Sequence, residues 1–222
     1  MQDPKYQQGD PPSPDAPPLD KSVIISSDTR RTERIPPGQT RTRKWPVLDA
    51  NGTPSLPTEE EWELRIFGEV NAPRSFSLAE FRELPRVQVF ADFHCVTTWS
   101  RLGNLWEGVS ASHLLSLCDV RATAKFVILH AYDNQWPTNL PLEAFLGEDV
   151  LLADRHDGEP LSPDHGWPVR AMVPQLYAWK SAKWLCGIEL STDDRRGYWE
   201  QLGYHDHGDP WTEERFNELR SS

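Results

Sequence analysis

No periodic segment of this chain lasts long, and that limits the folds open to it. Apolar–polar alternation over residues 61–66 reads as a strand that ends in a turn between Gly68 and Pro73. Ser77 followed by Glu80 is a capping-box pair, and it opens a short helix that stops before Pro85. A second short helix is read over residues 110–118, on the spacing of Leu114, Leu115 and Leu117. Further strands are read over 125–131, 150–152, 169–173 and 188–190, with a helical turn or two at 142–146. Gly158, Pro160, Pro163, Gly166 and Pro168 then break the chain repeatedly. Strands and helices mix without a βαβ rhythm, so the expected fold is α+β, a single compact domain.

A chain of 222 residues holds one sizeable core but not several large domains. Six prolines fall among the first twenty residues, so 1–21 are expected to be a disordered tail and 22–222 the domain. Ten tryptophans point to rigid loops and strands packed by flat rings rather than to a helical bundle. A net charge of −11 argues against general binding to nucleic acid or an anionic membrane. There is no apolar run of membrane-spanning length and no export pattern at the start, so a cytoplasmic protein without a membrane span is expected. The three cysteines are odd in number, widely spaced and without a C-x-x-C pair. They support neither a disulfide framework nor a structural zinc site.

The stretch with most chemical content is 90–108. An apolar run reaches His94 and Cys95, then leaves through hydroxyls, Arg101 and a Gly103-Asn104 break. Neighbours on a strand face opposite ways, so His94 is poorly placed to activate Cys95 as a nucleophile. The His205-x-His207 pair has the spacing of two ligands on one strand face, but no further ligand pattern supports it. Neither G-x-G-x-x-G nor a P-loop occurs. Two basic groups remain: Arg41, Arg43 and Lys44 beside Trp45, and Arg170, Lys180 and Lys183. Each alone reads equally well as solvated charge. With a thiol at a strand end between them, they fit a cofactor that carries a phosphate and a soft metal.

Six phrases in order sharpen this reading. They are Asp-Phe-His-Cys-Val-Thr-Thr-Trp-Ser (92–100), Asn-Leu-Trp-Glu-Gly-Val (104–109), Thr-Asn-Leu-Pro-Leu (138–142), His-Gly-Trp-Pro-Val-Arg (165–170), Tyr-Ala-Trp-Lys-Ser-Ala-Lys-Trp (177–184) and Gly-Tyr-His-Asp-His-Gly-Asp-Pro-Trp (203–211). The chain resembles the sulfite-oxidase-type molybdopterin-dependent oxidoreductases, of the small bacterial group. The resemblance implies Mo-molybdopterin as cofactor, with Cys95 the protein ligand to molybdenum. It implies that His165 and Arg170 hold the pterin and its phosphate, and that Ser181, Ala182 and Lys183 wrap the phosphate. Thr42 and Trp45 match an N-terminal pterin contact and His130 a further one. Where sulfite-oxidising members carry an arginine cluster and a tyrosine, this chain offers Arg101 and Tyr132. Methionine sulfoxide is therefore as admissible a substrate as sulfite. The expected activity is oxygen-atom transfer to or from a small sulfur oxo compound, with a separate electron-transfer partner. Two other readings stay open: a non-catalytic pterin-binding module, and a tryptophan-rich docking protein.

Overall fold

The computed structural model describes residues 22–49, 52–132 and 136–217; the tail expected over 1–21 lies outside them. Twelve strands occur among the described residues. In the first half these are β1 (Ile24–Ile25), β2 (Thr40–Thr42), β3 (Glu63–Gly68), β4 (Arg74–Ser77), β5 (Arg86–Cys95) and β6 (Trp99–Ser110). The second half supplies β7 (Phe126–Ala131), β8 (Thr138–Pro141), β9 (Leu151–His156), β10 (Glu159–Pro160), β11 (Arg170–Met172) and β12 (Leu185–Ser191). The helices are short: α1 (Leu78–Glu83), α2 (Ala111–Ser116), α3 (Leu142–Phe145) and α4 (Tyr198–Gln201).

The strands form two sheets. One runs β1-β5-β6-β9-β10, with β2 added on β6 and β11 on β9; the other runs β4-β3-β12-β7-β8. The mixed α+β single domain is as the residues imply. Its largest core cluster takes Leu64 and Ile66 from β3, Phe81 from α1 and Leu114 from α2. Val127 and Leu129 from β7, Leu152 from β9, and Ile188 and Leu190 from β12 complete it. Trp62 is fully buried beside them and donates its indole N–H to the Leu185 carbonyl (3.0 Å).

Local chemistry sets the element ends. Ser77 caps α1 as its spacing implies: its hydroxyl accepts from the Glu80 N–H (3.3 Å), and its own N–H donates to Oε2 of Glu80 (2.8 Å). Leu84 turns to extended backbone because Pro85 forbids another helical turn. The expected break at Gly103-Asn104 is instead a bulge inside a continuous β6. Pairing slips between Ala91↔Asn104 and Phe93↔Arg101, with Gly103 at φ +70°. Buried Asp92 pins the slip: it accepts from the Gly103 N–H (2.8 Å) and takes both arms of Arg34 (2.9 and 2.6 Å).

Candidate active site

The β5–β6 hairpin ends at Cys95, where the Thr98 N–H returns to the Cys95 carbonyl (3.1 Å) and Thr98 adopts φ +70°. His94 faces away, fully buried, with Nδ1 2.9 Å from the Ser100 hydroxyl. Burial holds its pKa down. The two neighbours are thus separated as strand geometry requires. Cys95 Sγ lies 3.1 Å from Thr97 Oγ1, and burial pushes the thiol up from its ordinary value.

Cys95 opens on a cavity of about 250 Å³. Trp45, His165, Arg170, Ser181, Ala182 and Lys183 also line it. Arg170 lies at the start of β11, 3 % exposed, and its three hydrogen bonds go to main-chain carbonyls. These are His165 (3.0 Å), Ser181 (2.9 Å) and Ala171 (3.3 Å). The guanidinium lies among the rings of Phe93, Trp106 and Trp45, between 5.3 and 5.7 Å from their centres. Burial pushes its pKa down to about 9, so it keeps its charge at neutral pH. Lys183 Nζ reaches the carbonyls of Asp164 (3.0 Å) and Leu48 (3.2 Å) and lies 3.5 Å from Asp49 Oδ2. Burial first, and then Arg170, bring Lys183 down to about 8. Burial and these two cations bring His165 to about 4, a neutral imidazole. Ser181 is fixed by accepting the Val173 N–H (2.9 Å).

Gly166 shapes this end of the cavity. It sits at φ +106°, and a Cβ there would meet Arg170 Cβ and Lys183 Cα at 3.1 Å. Glycine lets the 163–166 turn, Arg170 and Lys183 close on one another. Much of the remaining lining is aromatic: Trp136, Trp179, Trp184, Trp199 and Tyr204. Tyr204 packs on Trp199 (5.0 Å) and Trp179 (5.2 Å). Trp184 takes the left-handed region (φ +53°) and hydrogen-bonds the Pro163 carbonyl through its indole N–H (2.7 Å). These rings converge from three segments, around residues 136, 179–184 and 199–204, and no local spacing in the sequence shows that they meet.

Four other candidates lie outside the cavity lining. Thr42 is in β2, opposite Arg101, and its hydroxyl accepts the Lys44 N–H (3.1 Å). Arg101 is buried by its own partners: Nη2 donates to Asp157 Oδ2 (2.9 Å), while Nη1 bonds Asn104 and lies 3.2 Å from His156 Nε2. His130, in the other sheet, places Nε2 2.9 Å from Glu189 and packs on Phe67. Tyr132 packs on the main core rather than into the cavity. Lys180, one of the basic group, points inward too, with its ammonium 2.6 Å from Glu200 Oε1 and both side chains fully buried. Lys180 Nζ also donates to the Asn139 and Asp206 carbonyls (both 2.7 Å). The pair leaves no local signature in the sequence around Lys180, because Glu200 arrives from α4. His205 and His207 converge on one Glu214 oxygen (3.3 and 2.9 Å), and no metal-binding group of three ligands occurs among the described residues.

A soft sulfur and two cations lining one cavity, the buried Arg170 bonded to carbonyls and the part-buried Lys183 near Asp49, fit a group that is sulfur-ligated and anionic. The chain belongs to the oxidoreductase molybdopterin-binding domain family, whose model matches residues 50–199. It is a sulfite-oxidase-type molybdopterin oxidoreductase, and Mo-molybdopterin is that family's cofactor. Among similar proteins is "Uncharacterized oxidoreductase YuiH" of Bacillus subtilis (strain 168), 46 % identical over 183 residues, 82 % of this chain and 92 % of that one. The protein-methionine-sulfoxide reductase catalytic subunit MsrP of Campylobacter jejuni is 25 % identical over 165 residues. That match covers 67 % of this chain and 55 % of MsrP. In fold, the chain is similar to the sulfane dehydrogenase SoxCD of Paracoccus pantotrophus, with a TM-score of 0.59 at 23 % identity, over 64 % of this chain and 41 % of that one. Among the described residues, no helix is long and apolar enough to cross a membrane.

Proposed function

We propose that this protein transfers an oxygen atom to or from the sulfur of a small oxo compound. The observation that carries the reading is the pairing, in one cavity, of the Cys95 thiol with the charges of the buried Arg170 and the part-buried Lys183. Cys95 would hold molybdenum, Arg170 and Lys183 the phosphate, and Trp45, His165, Ser181 and Ala182 the pterin end. When bound, the cofactor supplies a metal that changes oxidation state by two and exchanges oxygen with a sulfur lone pair.

The chain's own residues do the rest. Cys95 is held protonated by burial, so metal uptake releases its proton. Thr97 and the charge of Arg215 oppose that burial and ease the loss. Arg170 needs no motion to meet an anion, because its carbonyl bonds already fix its plane. Trp136, Trp179, Trp199 and Tyr204 shield the thiol side from water. Arg215, held on the Val96 carbonyl (2.7 Å), is the cation whose charge reaches the thiol side, so an uncharged S-oxide such as methionine sulfoxide and an anion such as sulfite are both admissible substrates. Electrons then pass to or from a separate redox protein. The three free thiols fit a reducing compartment, and we assign the cytoplasm.

The test is elemental analysis of protein made in a molybdopterin-competent host, alongside Cys95→Ala. About one molybdenum per chain, lost in the variant, with turnover of methionine sulfoxide or sulfite is the expected result. No molybdenum in either protein overturns the reading and leaves a binding module.

A further inference from the structure

The largest exposed apolar side chains of the described residues are Leu202 (62 %) and Phe216 (59 %). They lie at one corner of the molecule. Phe216 bridges Tyr204 in an antiparallel pair, and the Asn217 N–H donates to the Gly203 carbonyl (3.0 Å). The Phe216 ring packs on Tyr204, 5.2 Å between centres, and Tyr204 itself lines the cavity that holds Cys95. One ring therefore separates a surface apolar patch from the interior of the site. Nothing in the core requires two large side chains to stand open here, and exposed apolar corners of this kind mark contact surfaces.

The patch has a charged border. The 203–217 segment carries the carboxylates of Asp206, Asp209, Glu213 and Glu214. Asp206 is paired with Arg196, Glu213 lies 3.8 Å from Arg215 and Glu214 lies against His205 and His207, so with its two guanidinium partners the segment stays acidic by two charges. Arg215 is turned inward, onto the carbonyls of Val96 (2.7 Å) and Pro37 (3.3 Å). Arg196 comes up beside it but is taken by Asp206 through both arms (2.7 and 2.6 Å). Glu213 stands half-exposed, and the whole chain carries −11. An apolar centre with an acidic border is complementary to a partner with an apolar contact ringed by lysines.

We propose that the Leu202–Phe216 corner, one aromatic ring from the Cys95 cavity, is the docking surface for a one-electron carrier protein with a basic contact face. This rests on the oxidoreductase reading of the cavity. Each encounter moves one electron between holoenzyme and carrier, two encounters complete one turnover, and no bond forms or breaks at the surface. Such contacts are small and brief, so a two-residue apolar centre steered by charge is sufficient.

The experiment uses molybdenum-loaded protein reduced with dithionite and freed of excess reductant. It is mixed in a stopped-flow instrument with oxidised cytochrome c, a lysine-rich probe, and separately with ferricyanide, which needs no docking surface. The expected result is fast cytochrome c reduction that slows as salt rises. In the Leu202→Ser/Phe216→Ser variant it slows at least tenfold, while the ferricyanide rate stays within twofold. Leu146→Ser, at an exposed apolar site elsewhere, changes neither rate. Equal cytochrome c rates in wild type and double variant overturn the proposal, as does reaction with ferricyanide but not with cytochrome c. A wild-type dimer in sedimentation that the double variant dissociates also overturns it, because the corner is then a self-contact. Failure to reduce either oxidant overturns the redox reading of the cavity itself.

Discussion

The Trp45 indole lies flat on the His165 imidazole, with ring centres 3.6 Å apart and planes 7° from parallel. His156 approaches Trp45 from 4.2 Å, so the indole is shared by two imidazoles. The contact ties the segment after β2 to the turn that precedes Arg170.

The first prediction concerns acid. His165 sits at about 4 in the folded chain against an ordinary 6.5, because burial, Arg170 and Lys183 all disfavour its cation. The unfolded chain takes up that proton first. Stability from this residue is therefore whole above pH 6.5 and is lost as pH falls toward 4. In cofactor-free protein, His165→Phe keeps a ring on Trp45 and removes the titration. Urea unfolding between pH 6.5 and 4 should show a shallower decline for the variant; parallel declines would refute the assignment.

Lys183 gives the second, at the alkaline end. Its pKa of about 8 means the cavity loses one of the two cations proposed to hold the phosphate as pH passes 8. Cofactor retention should weaken from pH 7 to pH 9 in wild type. Lys183→Met should retain less cofactor at pH 7 and show a flatter dependence. Pterin fluorescence released per chain after dialysis measures both.

Gly166 carries the third. Gly166→Ala places a methyl 3.1 Å from Arg170 Cβ and Lys183 Cα, at a φ of +106°. The cost is about 1–3 kcal/mol of stability, read by thermal or urea unfolding. Molybdenum content should fall with it, since relief of the clash moves the two cations apart.

The buried Lys180–Glu200 pair supports the fourth. Glu200 Oε1 also accepts the Trp179 indole N–H (3.0 Å) and the Thr138 hydroxyl (3.0 Å). Lys180→Met leaves that carboxylate buried without its cation, and the expected loss is about 3–5 kcal/mol. Urea unfolding checks it; a change near zero would mean that the pair is open to water.

What the sequence made legible is what local rules control. The Ser77–Glu80 cap, the strand ending at Cys95, and the opposed faces of His94 and Cys95 follow from spacing alone. Arg170 and Lys183 both line the cavity with Cys95, and each stands in a recognisable phrase of neighbours. Lys180 has the same local surroundings, yet points the other way, because the partner that buries it comes from α4. His130 and Tyr132 stand at the end of β7 and just beyond it, and β7 belongs to the other sheet, so neither lines the cavity. The aromatic wall is assembled from residues 136, 179, 184, 199 and 204, and no local pattern relates those positions. Gly103 reads as a break for a similar reason: the buried Asp92 that turns it into a bulge lies across the hairpin.

The central pairing of the second sheet has a consequence for how the protein is made. β3 lies parallel to β12, and Trp62 finds its acceptor 123 residues further along the chain. As the chain leaves the ribosome, β3 has only β4 beside it until β12 (Leu185–Ser191) emerges. For most of synthesis its other edge is open, a template for pairing with a neighbouring nascent chain. The cofactor cavity is also completed last, since Lys183, Trp199 and Tyr204 come from the same late segment. The cavity is thus complete only once residue 204 has emerged, and slow translation between β4 and β12 would lengthen the interval in which the open edge of β3 is exposed to aggregation.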